Sequence, residues 1–194
     1  MDGRDVRALM LRMHRGDELA AEMLWARFAA RLTAYARVLL PSGYASSAED
    51  VVQGVFVKVL RMRRGQLRRV EDGAAYLFRV TRNEAVNAGR GELRERARRR
   101  VVEARGEGML EREDVRRVLG AIEGLVYEQR EVILLRYIGG LTNGQVAEAL
   151  GVNRNTVASR ARLGMEKLRD ELGVGLGVEL GVELGVDTGE VRDG

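Results

Sequence analysis

The sequence predicts an all-α protein: two small helical domains joined by a charged linker. Three observations carry that prediction. Proline occurs once in 194 residues, apolar residues recur at three- and four-residue spacing, and no stretch shows the strict alternation of a half-buried strand. With 45% apolar residues the chain can build two modest cores.

The first helix is expected from about Asp5 to His14, with Val6, Leu9, Met10 and Met13 on one face. A second runs from about Asp17 to Leu40, carries Leu19, Met23, Leu24, Phe28, Leu32, Tyr35 and Leu39, and is ended by Pro41-Ser42-Gly43. Ser47 opens a third, with Asp50 three residues on as a short capping box. Its buried stripe is Val51, Val52, Val55, Phe56, Val59 and Leu60. Arg63 through Gly73 reads as a loop. A fourth helix follows from Ala74 to about Ala88, where Gly89 and Gly91 weaken its end. These elements make a first domain over residues 1–92. The chain from Arg90 on is charged and lacks a good apolar face, so residues 93–109 are assigned to a linker with some helical character. A second domain over 110–172 shows four helical patterns, the last from Arg154 to Leu172. In the tail, 173–194, glycine returns at every fourth position of a four-residue repeat over 173–188. Each costs a helix about 1 kcal/mol relative to alanine, and disorder is the expectation.

Composition excludes several classes of function. There is no cysteine, hence no disulfide or thiolate metal site, and His14 is the only histidine. No glycine-rich phosphate loop or Ser/His/Asp set is present, so no catalytic, cofactor-binding or metal-binding residue is assigned. With no apolar run of signal or spanning length, a cytoplasmic protein without membrane insertion is expected. The net charge of +4 is unevenly spread. Residues 1–105 hold 22 basic against 13 acidic side chains, and the tail from 173 holds 1 against 5. The basic excess lies between 58 and 105, which suggests a polyanion as partner.

The second domain carries the sharper motif. Thr142 and Gln145 form a capping box, Gly151-Val152-Asn153 makes a tight turn, and Asn153 caps the next helix. Val146, Leu150, Val152 and Val157 point inward. This is the arithmetic of a helix-turn-helix whose second helix enters the major groove. The positions facing DNA near its start are Arg154, Asn155, Thr156, Ala158, Ser159 and Arg162. Arginine pairs bidentately with guanine and asparagine with adenine, while Arg160 is better placed for phosphates.

In the first domain, Asp50 and Gln53 stand one turn apart in the run Ala48-Glu49-Asp50-Val51-Val52-Gln53-Gly54-Val55-Phe56-Val57. An Arg-rich loop follows, then Tyr76-Leu77-Phe78-Arg79-Val80-Thr81-Arg82-Asn83, and later Gln129-Arg130-Glu131-Val132 leads into the helix-turn-helix. In this order and at this separation the segments resemble regions 2 and 4 of a sigma factor of RNA polymerase, of the extracytoplasmic-function type, over residues 17–172. The resemblance implies that Asp50, Gln53 and Lys58 contact the β′ clamp helices of core polymerase. It implies that Arg79, Arg82, Asn83 and Asn87 engage the −10 element during melting, and that the helix-turn-helix reads the −35 element. No cofactor is implied; the partners are core polymerase, promoter DNA and, since many relatives are held by one, an anti-sigma factor. The chain departs from the family's habit at Gly54 (usually acidic), Val126-Tyr127 (usually with proline) and Ala158 (usually basic). Tyr76 stands where tryptophan is frequent and either packs under the loop or stacks on a base; Phe56 and Phe78 are assigned to core. Two alternatives stay open: an operator-binding regulator, which the C-terminal half alone would fit, and a degenerate sigma that binds polymerase without starting transcription.

Overall fold

The computed structural model describes residues 3–40, 47–98 and 113–173. The chain divides into two compact units, Met1–Glu107 and Gly108–Gly194. Among the described residues there are helices and no strands. The expectations for Pro41-Ser42-Gly43, for the linker beyond Arg98 and for the tail beyond Gly173 lie outside the described residues, as does the side chain of Ser47.

In the first unit, helix α1 spans Gly3–Met13, α2 Glu18–Leu39, α3 Ser47–Arg61, α4 Arg64–Arg68 and α5 Gly73–Arg98. Asp17 opens α2 by accepting from the Ala20 N–H at 3.0 Å, and Asp72 opens α5 by accepting from Ala75 at 2.9 Å. Helix α2 is the axis of the bundle, packed by α1, α3 and α5. Its stripe, Ala20, Leu24, Phe28, Leu32 and Tyr35, is buried, as are Met10 of α1, Leu67 of α4 and Leu77 and Phe78 of α5. The Tyr35 and Phe78 rings meet edge-on at 5.5 Å. Between Phe28 and Phe78 sits the Arg31 guanidinium, 5.4 Å and 5.8 Å from the ring centres, and burial together with nearby Arg27 pulls its pKa down to about 10.

Three expectations change here. Leu19 (67% exposed), Met23 (51%) and Leu60 (47%) are not core. Successive helical residues are about 100° apart, so with Ala20, Leu24 and Val59 facing inward, the residues beside them turn toward solvent. The segment expected as loop contains α4, anchored by fully buried Leu67. Helix α5 passes Gly89 and Gly91 and continues to Arg98; a glycine lowers helix stability without ending a helix.

The second unit has α6 (Glu113–Gly124), α7 (Tyr127–Ile133) running into a π-helical turn at Leu134–Ile138, α8 (Asn143–Leu150) and α9 (Arg154–Leu172). Ile122, Ile133, Leu134 and Leu135 are fully buried, joined by Val146, Val157 and Leu168. The Gln129-Arg130-Glu131 segment proves to be scaffold. Arg130 donates from Nε to the Ile122 carbonyl (3.1 Å) and from Nη2 to that of Leu125 (3.1 Å), closing the C-terminus of α6. Glu131 is buried and accepts from the Tyr127 hydroxyl at 2.9 Å. Val126 takes φ −61°, close to the value a proline ring would fix, so this position already has a backbone that proline could adopt.

Candidate nucleic-acid and polymerase interfaces

The helix-turn-helix is set by short-range bonds. Gln145 N–H donates to Thr142 Oγ1 at 3.3 Å, while Thr142 N–H donates to Gln145 Oε1 at 2.9 Å. Gly151 turns the chain with φ 68° and ψ 35°, a left-handed conformation that other residues adopt only at a cost. Asn153 Oδ1 then accepts from Asn155 N–H at 2.8 Å and starts α9. Val146 and Val157 are fully buried between the two helices, whereas Leu150 and Val152 are half-buried at its edge.

Asn155, Ala158, Ser159 and Arg162 are all exposed on α9 and, at three- and four-residue spacing, share one face. Thr156 and Arg160 are half-buried and rotated off it. Arg162 is paired with Glu166 at 2.8 Å in an exposed bridge. Such a pair is worth little in water, so its guanidinium can exchange partners readily. Arg154 is exposed as well, but its guanidinium lies back over Gly144 at the start of α8.

In the first unit the expected polymerase-binding residues separate. Asp50 and Gln53 are exposed on one side of α3, beside exposed Val57. Lys58 turns to α5, where its ammonium meets Glu84 at 2.6 Å; the bond to Glu84 raises the Lys58 pKa. It also borders an open groove of about 470 Å³ with Arg61, Met62, Gln66, Arg69, Val70, Tyr76 and Arg79. Tyr76 is half-buried there, its hydroxyl donating to Met62 Sδ at 3.1 Å and its ring lying 5.3 Å from the Arg79 guanidinium. That geometry is the packed role of Tyr76, with one edge open to the groove. Asn83 and Asn87 are exposed farther along α5; Arg82 is half-buried and has partners within the fold. Phe56 and Phe78 are core, as expected. Sequence reasoning did not single out Arg61, Gln66 and Arg69. The run of arginines was the available signal, but only α4 decides which of them turn inward to the groove.

The arrangement offers an exposed reading face in one unit and, in the other, a basic groove beside an apolar-polar helix face. Among the described residues no cluster of metal-binding side chains occurs, and no helix is long and apolar enough to cross a membrane.

Comparison with known proteins gives two family matches: Sigma-70 region 2 over residues 24–99, and Sigma-70, region 4 over residues 116–168. The ECF RNA polymerase sigma factor SigK of Mycolicibacterium vanbaalenii is 33% identical over 147 residues, covering 71% of this chain and 74% of that protein. SigL of Mycobacterium tuberculosis, also an ECF RNA polymerase sigma factor, is 32% identical over 170 residues, covering 81% and 88%. Among solved structures, the sigma factor RpoE of Bartonella quintana, in complex with the anti-sigma factor NepR, superposes with a TM-score of 0.61 at 26% identity. That match covers 81% of this chain and 98% of the other.

Proposed function

The chain belongs to the sigma-70 family, in its extracytoplasmic-function subfamily, and from that premise we propose how its two units divide the work. It is a sigma factor that directs transcription initiation by RNA polymerase, with core polymerase and promoter DNA as partners. We assign residues 1–92 to polymerase binding and the −10 element, 93–109 to the linker, 110–172 to the −35 element, and 173–194 to a tail outside both roles.

Within that division, Asp50 and Gln53 dock on the β′ clamp helices. Lys58, turned toward the groove by Glu84, serves the DNA strand instead, together with Arg79, Arg82, Asn83 and Asn87. Melting a promoter exposes unstacked bases on a charged backbone, which a basic groove edged by a tyrosine suits. Asn155, Ser159 and Arg162 read base edges in the −35 major groove, and Thr156 and Arg160 hold phosphates on either side. One observation carries the assignment: a left-handed turn at Gly151 between two capped helices, presenting Asn155, Ser159 and Arg162 on one open face.

The chain works without catalysis of its own and in the cytoplasm, where polymerase and promoter are. An anti-sigma factor is a further partner, on the analogy of RpoE, which was solved with NepR. Run-off transcription with purified core polymerase and a library of upstream regions tests the division. Arg82→Ala with Asn83→Ala should lower transcript yield while leaving core binding intact; Asp50→Ala with Gln53→Ala should weaken core binding. If the Arg82/Asn83 variant loses the polymerase, the division fails.

A further inference from the structure

Arg154 is the first residue of α9, and a side chain there would ordinarily be counted among the base readers. Its guanidinium is instead folded against the neighbouring helix. A Cβ placed on Gly144 would lie 2.9 Å from Arg154 Nη2, 3.1 Å from Cζ and 3.2 Å from Nε. Three atoms of the planar group therefore face the bare Cα of Gly144, inside the space any other residue would fill. Among the described residues no hydrogen bond or ion pair engages the Arg154 side chain, so they leave its charge unneutralised.

We propose that Gly144 is a specificity-determining residue: by making room for the guanidinium it turns Arg154 from a base reader into a phosphate contact. The inference rests on the −35 assignment above and refines it. Reading guanine takes a guanidinium fork that projects into the groove toward O6 and N7. One laid against Gly144 of α8 is taken up by the neighbouring helix instead of projecting with Asn155, Ser159 and Arg162, a placement suited to the backbone at the groove's rim. A positive charge there adds affinity without regard to sequence.

The geometry also supplies a clean perturbation. Gly144 lies within a helix, where alanine is favoured over glycine, and the atoms its Cβ would strike belong to the far end of a flexible side chain. Gly144→Ala therefore moves the Arg154 guanidinium and leaves the backbone in place.

The test uses holoenzyme assembled from core polymerase and the full chain, bound to a duplex library randomised over the upstream promoter element, at several salt concentrations. Three variants are compared: Arg154→Ala, Gly144→Ala and the double substitution. Arg154→Ala should weaken binding evenly across the selected sequences and lower the salt slope by about one, leaving the preferred sequence unchanged. Gly144→Ala should change affinity or base preference by about twofold or more, an effect absent in the R154A background. The proposal is overturned if Arg154→Ala relaxes one base position at an unchanged salt slope, or if Gly144→Ala acts equally with and without Arg154. A parent holoenzyme that selects no upstream sequence would remove the −35 assignment itself, and this inference with it. That result is read from the unmodified chain and stays distinct from the variants' outcomes.

Discussion

Lys58 and Glu84, 26 residues apart in sequence, meet at 2.6 Å and tie α3 to α5 at the rim of the basic groove. The contact takes Lys58 away from the Asp50 and Gln53 face and holds its charge in check beside the place where a nucleic-acid strand would run. Glu84→Gln should cost under about 1 kcal/mol of stability, since both partners are partly solvated. It should raise affinity for single-stranded DNA at low salt by freeing one cation, with the gain fading as salt increases. Equal affinities at low salt would show that Lys58 does not face the strand.

Gly151 is the hinge of the DNA-reading motif. At φ 68° a Cβ is strained even though nothing crowds it, so Gly151→Ala should destabilise the second unit by about 1 kcal/mol, and a β-branched residue by more. Chemical denaturation of the full chain, followed by a probe in α8 or α9, measures this. A loss of −35 binding larger than the stability loss would show that the turn also sets the angle of α9.

Asp17 gives a pH signature. Its carboxylate accepts from the Ala20 N–H and pairs with Arg12 at 2.8 Å, and both hold its pKa below the ordinary value. A lowered native pKa means the ionised form is favoured by folding. The stabilisation is therefore present above the normal carboxylate range and is lost as pH falls through the native value. Asp17→Ala should lower the melting temperature near neutral pH, by a margin that shrinks in acid. A margin independent of pH would mean the cap is not what stabilises α2.

Gly54 stands on the exposed side of α3 with open space where a side chain would go. Gly54→Ala should stabilise the helix by up to about 1 kcal/mol, seen as a higher melting temperature. Core-polymerase binding measured alongside would tell whether a stiffer α3 helps or hinders docking beside Gln53.

Much of this protein was legible because much of it is local. The Thr142–Gln145 box, the turn at Gly151 and the Asn153 cap join residues two to four apart, so their chemistry is written in consecutive letters. The same holds for Leu24, Phe28, Leu32 and Tyr35 on the inward side of α2 and for the exposed face of α9, both of which follow from helical period. Asp72 as the opening cap of α5 is equally local, but it stands at the end of a segment whose sequence reads as unbroken loop.

What the sequence by itself determined, then, was the longer helices, the Thr142 and Asn153 caps, the helix-turn-helix and the family whose motifs they carry, since each depends on neighbours within one turn of chain. The tertiary structure alone decided that Leu19, Met23 and Leu60 face water, because covering an apolar side chain takes a second element in the right place. It alone gave Lys58 its partner in Glu84 and laid Arg154 over Gly144. Those pairings join residues 26 and 10 positions apart, and only the packing of one helix on another brings such side chains together.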